Sequence, residues 1–168
     1  MQKLISKLII EKHQIAAEAS PELSPFINEP LFISSDQIDL SETPEDIACL
    51  PFVYNLAPIA WRLGGEWFVE QLSTKASENL ELARAGMQEL WPEYQWSGVI
   101  HGKSDSSKSQ GKKPALLFSG GLDSTFSAMQ LLDKKPTLIT IHGGRDLQLK
   151  DDNAWQAVEL ATEKFASQ

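Results

Sequence analysis

The chain has 168 residues, of which 42% are apolar and 23% charged, a composition that excludes an intrinsically disordered protein. No apolar run approaches the roughly 20 residues of a membrane span, and one cysteine cannot form an internal disulfide, so we expect a cytoplasmic protein without a membrane partner. Residues 1–100 carry six basic and 15 acidic side chains, a net charge of −9, whereas residues 101–168 carry nine and eight, a net charge of +1. The acidic half argues against a broad nucleic-acid surface and is compatible with a protein partner.

Residues 1–101 are predicted to form an α+β region, to which the sequence assigns no role. Apolar residues over 1–19 recur roughly on one helical face and predict a helix, although 2–10 also fits a strand. Three prolines within 20–30 predict an irregular connection, and a short strand follows at 31–34.

A helix start is predicted at 43–46, Thr-Pro-Glu-Asp, where a threonine cap precedes a proline and two acidic residues at the positive end of the helix. This helix should run to Tyr54 or beyond, with Pro51 and Pro58 breaking or kinking it.

A strand is predicted at 66–71 and another at 94–100, on either side of the clearest helix, 73–90, whose apolar side chains recur at helical spacing. The tryptophans are interpreted as core and rim residues, not as a platform for stacked bases, because no basic residues interleave with them. They are Trp61, Trp67, Trp91, Trp96 and Trp155.

Residues 102–113, GKSDSSKSQGKK, contain no apolar side chain and predict a flexible linker between two domains. The segment 102–104, Gly-Lys-Ser, looks like the end of a Walker A loop. That motif requires a glycine where this chain has Ser97, so we do not interpret 102–104 as a phosphate-binding loop.

The second domain, residues 114–168, is predicted to follow a β-α-β-α order. A strand at 114–118 should be buried on both faces of a parallel sheet, and a helix follows over 122–132. A second strand over 136–142 and a second helix over 151–165 complete the order, which is typical of a parallel sheet with crossover helices.

A glycine-rich turn, SGGLDST at 119–125, stands directly after the first of these strands. Adjacent glycines let a ligand approach the backbone, the following helix adds its positive end, and the hydroxyls of Ser119, Ser124 and Thr125 surround the same spot. This pattern predicts a phosphate cradle, in which the carboxylate of Asp123 implies a bridging Mg²⁺ ion. The alternative is a tight turn with Asp123 and Ser124 as helix caps.

The turn resembles the SGGxDS loop of the PP-loop ATP pyrophosphatases, within the adenine nucleotide alpha hydrolase-like superfamily. The surrounding LLFSGGLDST is most similar to the 7-cyano-7-deazaguanine synthase (QueC-like) branch, and the likeness extends more weakly over 114–168. The resemblance implies a HUP-type, Rossmann-like parallel sheet. It also implies that ATP is cleaved between its α and β phosphates and that AMP is transferred to a carbonyl or carboxylate of an acceptor substrate.

By the same resemblance, the turn holds the pyrophosphate, Asp123 and Ser124 are catalytic, and Asp123 also positions Mg²⁺. The end of the second strand, Ile141 and His142, would lie against the adenine through backbone groups; His142 could equally pair locally. The full set of implied ATP-binding residues is Phe118, Ser119, Gly120, Gly121, Leu122, Asp123, Ser124, Thr125, Ile141 and His142.

Two departures from the family pattern leave the acceptor substrate unidentified. The segment 142–146, His-Gly-Gly-Arg-Asp, stands where the branch has a Tyr-Gly-Gln type of turn, and the branch's cysteine zinc site has no counterpart. The family sheet also has more parallel strands than the two predicted over 114–168, so we expect the chain to be the N-terminal part of a longer protein. The alternative function is a non-catalytic nucleotide-binding or interaction module.

Overall fold

The computed structural model describes residues 1–104, 113–143 and 148–167 of the chain. The chain divides into two compact units, residues 1–108 and 109–168, called here the first and the second unit. The first unit is mixed α/β and contains a parallel three-stranded sheet, and the second contains a parallel pair of strands with two helices.

The first unit combines the parallel sheet, in the order β1-β5-β6, with an antiparallel sheet in the order β2-β3-β4. Its elements are β1 (Gln2–Lys3), β2 (Ile5–Ile10), β3 (Gln14–Ala19), β4 (Leu31–Ser34), α1 (Glu45–Ala48), α2 (Leu50–Leu63), β5 (Glu66–Ser73), α3 (Thr74–Leu90) and β6 (Val99–Ser104). A 3-10 turn, Ser24–Phe26, precedes β4. Within the described ranges, no helix is both long and apolar enough to cross a bilayer.

Strand β5 is the centre of the parallel sheet, and α3 connects it to β6, so the strand and the helix predicted there are confirmed. Trp67, Val69 and Leu72 of β5 are buried in one cluster with apolar side chains of α2 and α3. The indole nitrogen of Trp67 donates to the carbonyl oxygen of Gly64 at 2.9 Å, which satisfies its polar atom inside the core. Burial of this face is what holds the two helices on the sheet.

Residues 1–19 contain three strands, so the helix predicted there is wrong and the alternative, a strand within 2–10, is confirmed by β1 and β2. Strand β3 pairs antiparallel with β2 on one side and with β4, the strand predicted at 31–34, on the other. Ile15 and Ala17 of β3 alternate inward with a period of two and pack against Phe52 of α2. The apolar residues of this segment fit both the helical period of 3.6 residues and the strand period of two. Packing of alternate residues against α2 stabilises the strand.

The helix predicted from 43–46 is divided in two. Helix α1 begins at Glu45 with Pro44 as its N-cap, so Thr43 is not the cap, and no cap side chain accepts a hydrogen bond. Cys49 separates α1 from α2, which then continues through Pro58. The predicted break at that proline does not occur, because packing of α2 on the core outweighs one lost backbone hydrogen bond.

Strand β6 begins at Val99, later than predicted, because two arginines hold the preceding segment in an irregular conformation. Arg62 donates to the carbonyl oxygen of Gln95 at 3.1 Å, and Arg84 donates to that of Trp96. These carbonyl groups would otherwise be available for a strand ladder.

Strand β6 extends through Ser104, so the first three residues of the predicted linker belong to a sheet; 105–112 lie outside the described residues. A Cβ at Gly102 would lie only 2.3 Å from the carbonyl oxygen of Leu72. The glycine therefore lets β6 pass close to the end of β5, which is a packing role and not that of a Walker loop.

The second unit has the predicted β-α-β-α order. Its elements are β7 (Ala115–Leu117), α4 (Leu122–Gln130), a 3-10 turn (Leu132–Lys134), β8 (Thr137–Ile139) and α5 (Asp152–Ala166). Strands β7 and β8 pair in parallel and in register, and the side chain of Asp151 caps α5 by accepting from the amide of Ala154 at 3.0 Å.

The prediction that β7 is buried on both faces is wrong. The side chain of Leu117 is 64% exposed, and the apolar face of α4 is also open, with Leu122 86% and Phe126 61% exposed. Among the described residues of this unit, only Phe118 and Ala128 are buried. Two strands of three residues and two helices are too small to enclose both faces of a parallel sheet.

Candidate nucleotide site

The turn between β7 and α4 contains one residue in a left-handed conformation. Gly120 has φ +75°, which a residue with a Cβ adopts only with strain. No atom lies within 4 Å of the position that a Cβ would take there, so the backbone is open on this side. Such an opening is what a close approach of phosphate oxygens to the amides requires.

Two serine hydroxyls converge inside this turn. The hydroxyl of Ser124 donates to the carbonyl oxygen of Gly121 at 3.0 Å and accepts from the amide of Ser119 at 3.3 Å. The two serine Oγ atoms are 3.3 Å apart. Ser124 therefore braces the turn itself, and the amide of Thr125 donates to the same Gly121 carbonyl at 3.0 Å.

Helix α4 presents its amino end to the turn. Its N-cap is Gly121, which has no side chain to accept from the first-turn amides, and Asp123 lies exposed in that turn. Unbonded amides and the positive end of the helix dipole favour an anion at this position. The residues present thus fit a phosphate group.

The same residues fit Mg²⁺ only as an ion shared with phosphates. Asp123 is the one carboxylate in the turn, and no group of three or more potential metal-ligating side chains occurs among the described residues. Mg²⁺ is commonly held by one or two carboxylates together with phosphate oxygens and water, which is the arrangement that this turn would allow.

The carboxyl ends of β7 and β8 are tied to each other beside the turn. The hydroxyl of Thr140 donates to the carbonyl oxygen of Phe118 at 2.9 Å. The side chain of Phe118 is buried and stacks on Phe165 of α5 with 4.7 Å between ring centroids. Phe118 can therefore reach a ligand only through its backbone, and that role stays a prediction.

The ring of His142 contacts α5. It stacks on Trp155 with 4.6 Å between centroids, and its Nε2 lies 3.1 Å from the carbonyl oxygen of Gln148. Ile141, by contrast, is exposed, and 144–146 of the departing segment lie outside the described residues. Sequence analysis did not predict that Trp155 contacts His142. The only local signal for this contact is an aromatic residue in the first turn of a capped helix.

The structure brings Ser119, Gly121 and Ser124 into direct contact and leaves Leu122 and Asp123 exposed around them. A cavity of about 380 Å³ lies elsewhere, in the first unit, where it is lined by residues of β2, β3 and β4 and of the segment between β3 and β4.

Cys49, in the first unit, does not have the environment of a reactive thiol. It is buried in the first unit, and burial raises the pKa of its thiol to about 11. A thiol with so high a pKa is protonated at neutral pH and is a poor nucleophile.

Comparison of the chain with protein-family models, with curated proteins and with solved structures finds no match in any of the three.

Proposed function

We propose that the second unit carries an ATP site of the PP-loop type and that the protein is an AMP-forming ATP pyrophosphatase with an unidentified acceptor substrate. One observation carries the proposal: the left-handed Gly120 stands one residue before the N-cap of α4, past the carboxyl end of a parallel strand, and leaves the backbone accessible there. Ligands of open α/β sheets bind at that edge, and phosphates bind at helix amino ends.

In the proposed reaction, an oxygen of the acceptor carboxylate or carbonyl attacks the α-phosphorus of ATP. The bond from the α-phosphorus to the bridging oxygen of the β-phosphate breaks, so the acceptor becomes adenylated and pyrophosphate leaves. The amides of Gly121 and of the first turn of α4 would bind the departing phosphates, whose negative charge rises as that bond breaks. The brace made by Ser124 would hold these amides in place.

In the proposal, Asp123 binds the metal ion that accompanies the phosphates. Its exposed carboxylate would repel bound phosphates unless a divalent cation lies between them. Mg²⁺ bound there would neutralise charge on the phosphates and orient them for the displacement. Asp123 would then affect binding of the metal complex and not of the nucleotide alone.

A non-catalytic nucleotide-binding module is the second candidate. It is favoured by the exposure of the turn, since Ser119, Gly120, Gly121 and Asp123 are open to water in the described structure. Enzymes of this class exclude water from the adenylated intermediate, whereas a binding module has no such need.

The test is isothermal titration of the chain with ATP and with α,β-methylene-ATP, each with and without Mg²⁺. We expect Asp123→Asn to weaken binding of Mg²⁺-ATP much more than binding of ATP alone. Asp133→Asn, an exposed carboxylate beyond the other end of α4, is the matched control and should leave both affinities unchanged. Equal losses with and without Mg²⁺ would contradict a metal role for Asp123.

Release of pyrophosphate separates the two candidates. Release from ATP in the presence of carboxylate-bearing acceptors would support the enzyme, and binding without release across them would support the module. Failure of the chain to bind ATP at all would contradict both.

A further inference from the structure

The peptide group that joins Phe118 to Ser119 is held at both of its polar ends. Its carbonyl oxygen, on Phe118, accepts from the hydroxyl of Thr140 at 2.9 Å. Its amide, on Ser119, donates to the hydroxyl oxygen of Ser124 at 3.3 Å. A trans peptide group is planar and its carbonyl and amide point in opposite directions, so the two bonds restrain one rigid plane from both sides.

The same series of bonds continues to the N-cap of α4. The hydroxyl of Ser124 donates to the carbonyl oxygen of Gly121 at 3.0 Å, and that oxygen also accepts from the amide of Thr125. Hydrogen bonds therefore connect the residue after β8, through the first peptide group of the turn, to the start of α4. Bonds in such a series polarise and strengthen one another.

The Gly121 carbonyl determines the direction of the Leu122 amide, because the two belong to one trans peptide group. The carbonyl is held on the helix side by Ser124 and Thr125, so the amide faces away from the helix. The first amides of a helix have no partner within the helix, and they are the donors that a phosphate at this end would use. Rotation of the first peptide group of the turn would therefore disturb a phosphate donor.

The hydroxyl of Thr140 is not needed for pairing of the strands. The backbone already joins them at this point, since the amide of Phe118 donates to the carbonyl oxygen of Ile139 at 2.8 Å. Thr140 is half-buried and follows β8 directly. Its β-branched side chain has few accessible rotamers, which keeps the hydroxyl on the carbonyl at the base of the turn.

We propose that Thr140 is a positioning residue for the phosphate-binding amides of the glycine-rich turn. The inference rests on the proposed function and adds to it a side chain on the neighbouring strand that acts on the phosphates through Ser124. Because the effect reaches the ligand through its phosphates, it is the same for a nucleotide and for inorganic tripolyphosphate.

The test titrates ATP and tripolyphosphate, each with Mg²⁺, into the full 168-residue chain. Thr140→Val keeps the branched shape and removes one hydrogen bond, so we expect it to weaken both ligands equally, by roughly two- to tenfold. Thr140→Ser keeps the hydroxyl and should retain most of the affinity. Thr137→Val, an exposed threonine at the start of β8, is the matched control and should change neither affinity. Thr140→Ala removes the same hydroxyl and replaces the valine variant if circular dichroism shows the latter to be unfolded.

A double-mutant cycle distinguishes positioning from a purely structural role. If Thr140 acts through Ser124, the loss of tripolyphosphate affinity in Thr140→Val combined with Ser124→Ala should be smaller than the product of the two single losses. In the unliganded chain, Thr140→Val should also shift the amide resonances of Ser119 and Leu122, and Thr137→Val should not.

Three results would overturn the inference and leave the proposed ATP site in place. They are an unchanged affinity in Thr140→Val, a double loss equal to the product of the single losses, and a loss for ATP with none for tripolyphosphate. A wild-type chain that binds neither ligand would overturn both the inference and the proposed function.

Discussion

Replacing Gly102 by alanine tests whether this glycine serves packing or phosphate. The added Cβ would lie 2.3 Å from the carbonyl oxygen of Leu72 and 2.8 Å from the hydroxyl of Ser77. Ordinary contacts between carbon and carbonyl oxygen begin near roughly 3.3 Å, so β6 or the end of β5 would have to move by about 1 Å. Overpacking of this kind typically costs about 1–3 kcal/mol, and we expect the first unit to lose about 2 kcal/mol of unfolding free energy.

The assay is urea unfolding followed by tryptophan fluorescence, which reports mainly on the first unit because it contains Trp61, Trp67, Trp91 and Trp96. At a slope near 2 kcal/mol/M, the expected loss lowers the midpoint by roughly 1 M. Gly86→Ala is the matched control: its Cβ would meet no atom within 4 Å, and alanine in a helix interior stabilises by roughly 0.5–1 kcal/mol relative to glycine. An unchanged midpoint for Gly102→Ala would refute the packing argument. Intact stability with lost nucleotide binding would instead identify 102–104 as a phosphate loop.

Three further outcomes follow from single residues. Gly120→Ala should destabilise the second unit by roughly 1–2 kcal/mol because the φ of Gly120 is +75°, whereas Gly121→Ala at φ −73° should destabilise it much less. Thermal unfolding followed by circular dichroism would measure both losses. Equal losses would contradict the argument that a side chain at position 120 strains the backbone. Burial raises the pKa of Cys49 from 9.0 to about 11, so its contribution to stability is complete below pH 9 and is lost as the pH rises toward 11. Urea unfolding at pH 9 and at pH 11 should show that the unfolding free energy depends less on pH in Cys49→Ala than in the wild type. The same pH dependence in both proteins would contradict the raised pKa of this thiol. Ser73→Ala should lower the unfolding free energy by about 1 kcal/mol, because the Ser73 hydroxyl caps α3 by accepting from the amide of Ala76 at 3.2 Å. Ser73→Thr keeps a hydroxyl and should retain most of this stability, which urea unfolding would measure.

The elements that sequence analysis predicted correctly depend on signals carried by neighbouring residues. Helices α3 and α5 are predicted from apolar residues that recur at helical spacing. The glycine-rich turn is predicted from two adjacent glycines directly after a short apolar run, which is also a local feature. Local patterns of this kind predict an element without information about its tertiary contacts.

The elements that sequence analysis missed are decided by residues distant in sequence. The apolar residues of 1–19 fit both periods, and packing of β3 against Phe52 decides for the strand. The start of β6 depends on Arg62 and Arg84, which reach across from two helices. At the candidate site, the contact of His142 with Trp155 depends on where Phe165 anchors α5, which no periodicity reveals.

The open apolar face of α4 has a consequence for the behaviour of the protein at high concentration. Residues 109–168 carry seven basic and seven acidic side chains, so the unit that exposes Leu122 and Phe126 has no net charge with which to repel another copy. Residues 1–108 hold the entire net charge of −8. We therefore expect repulsion between the acidic units to limit self-association of the protein. Added salt should weaken this repulsion, because at physiological ionic strength it screens charges separated by more than about 8 Å while leaving hydrophobic association intact.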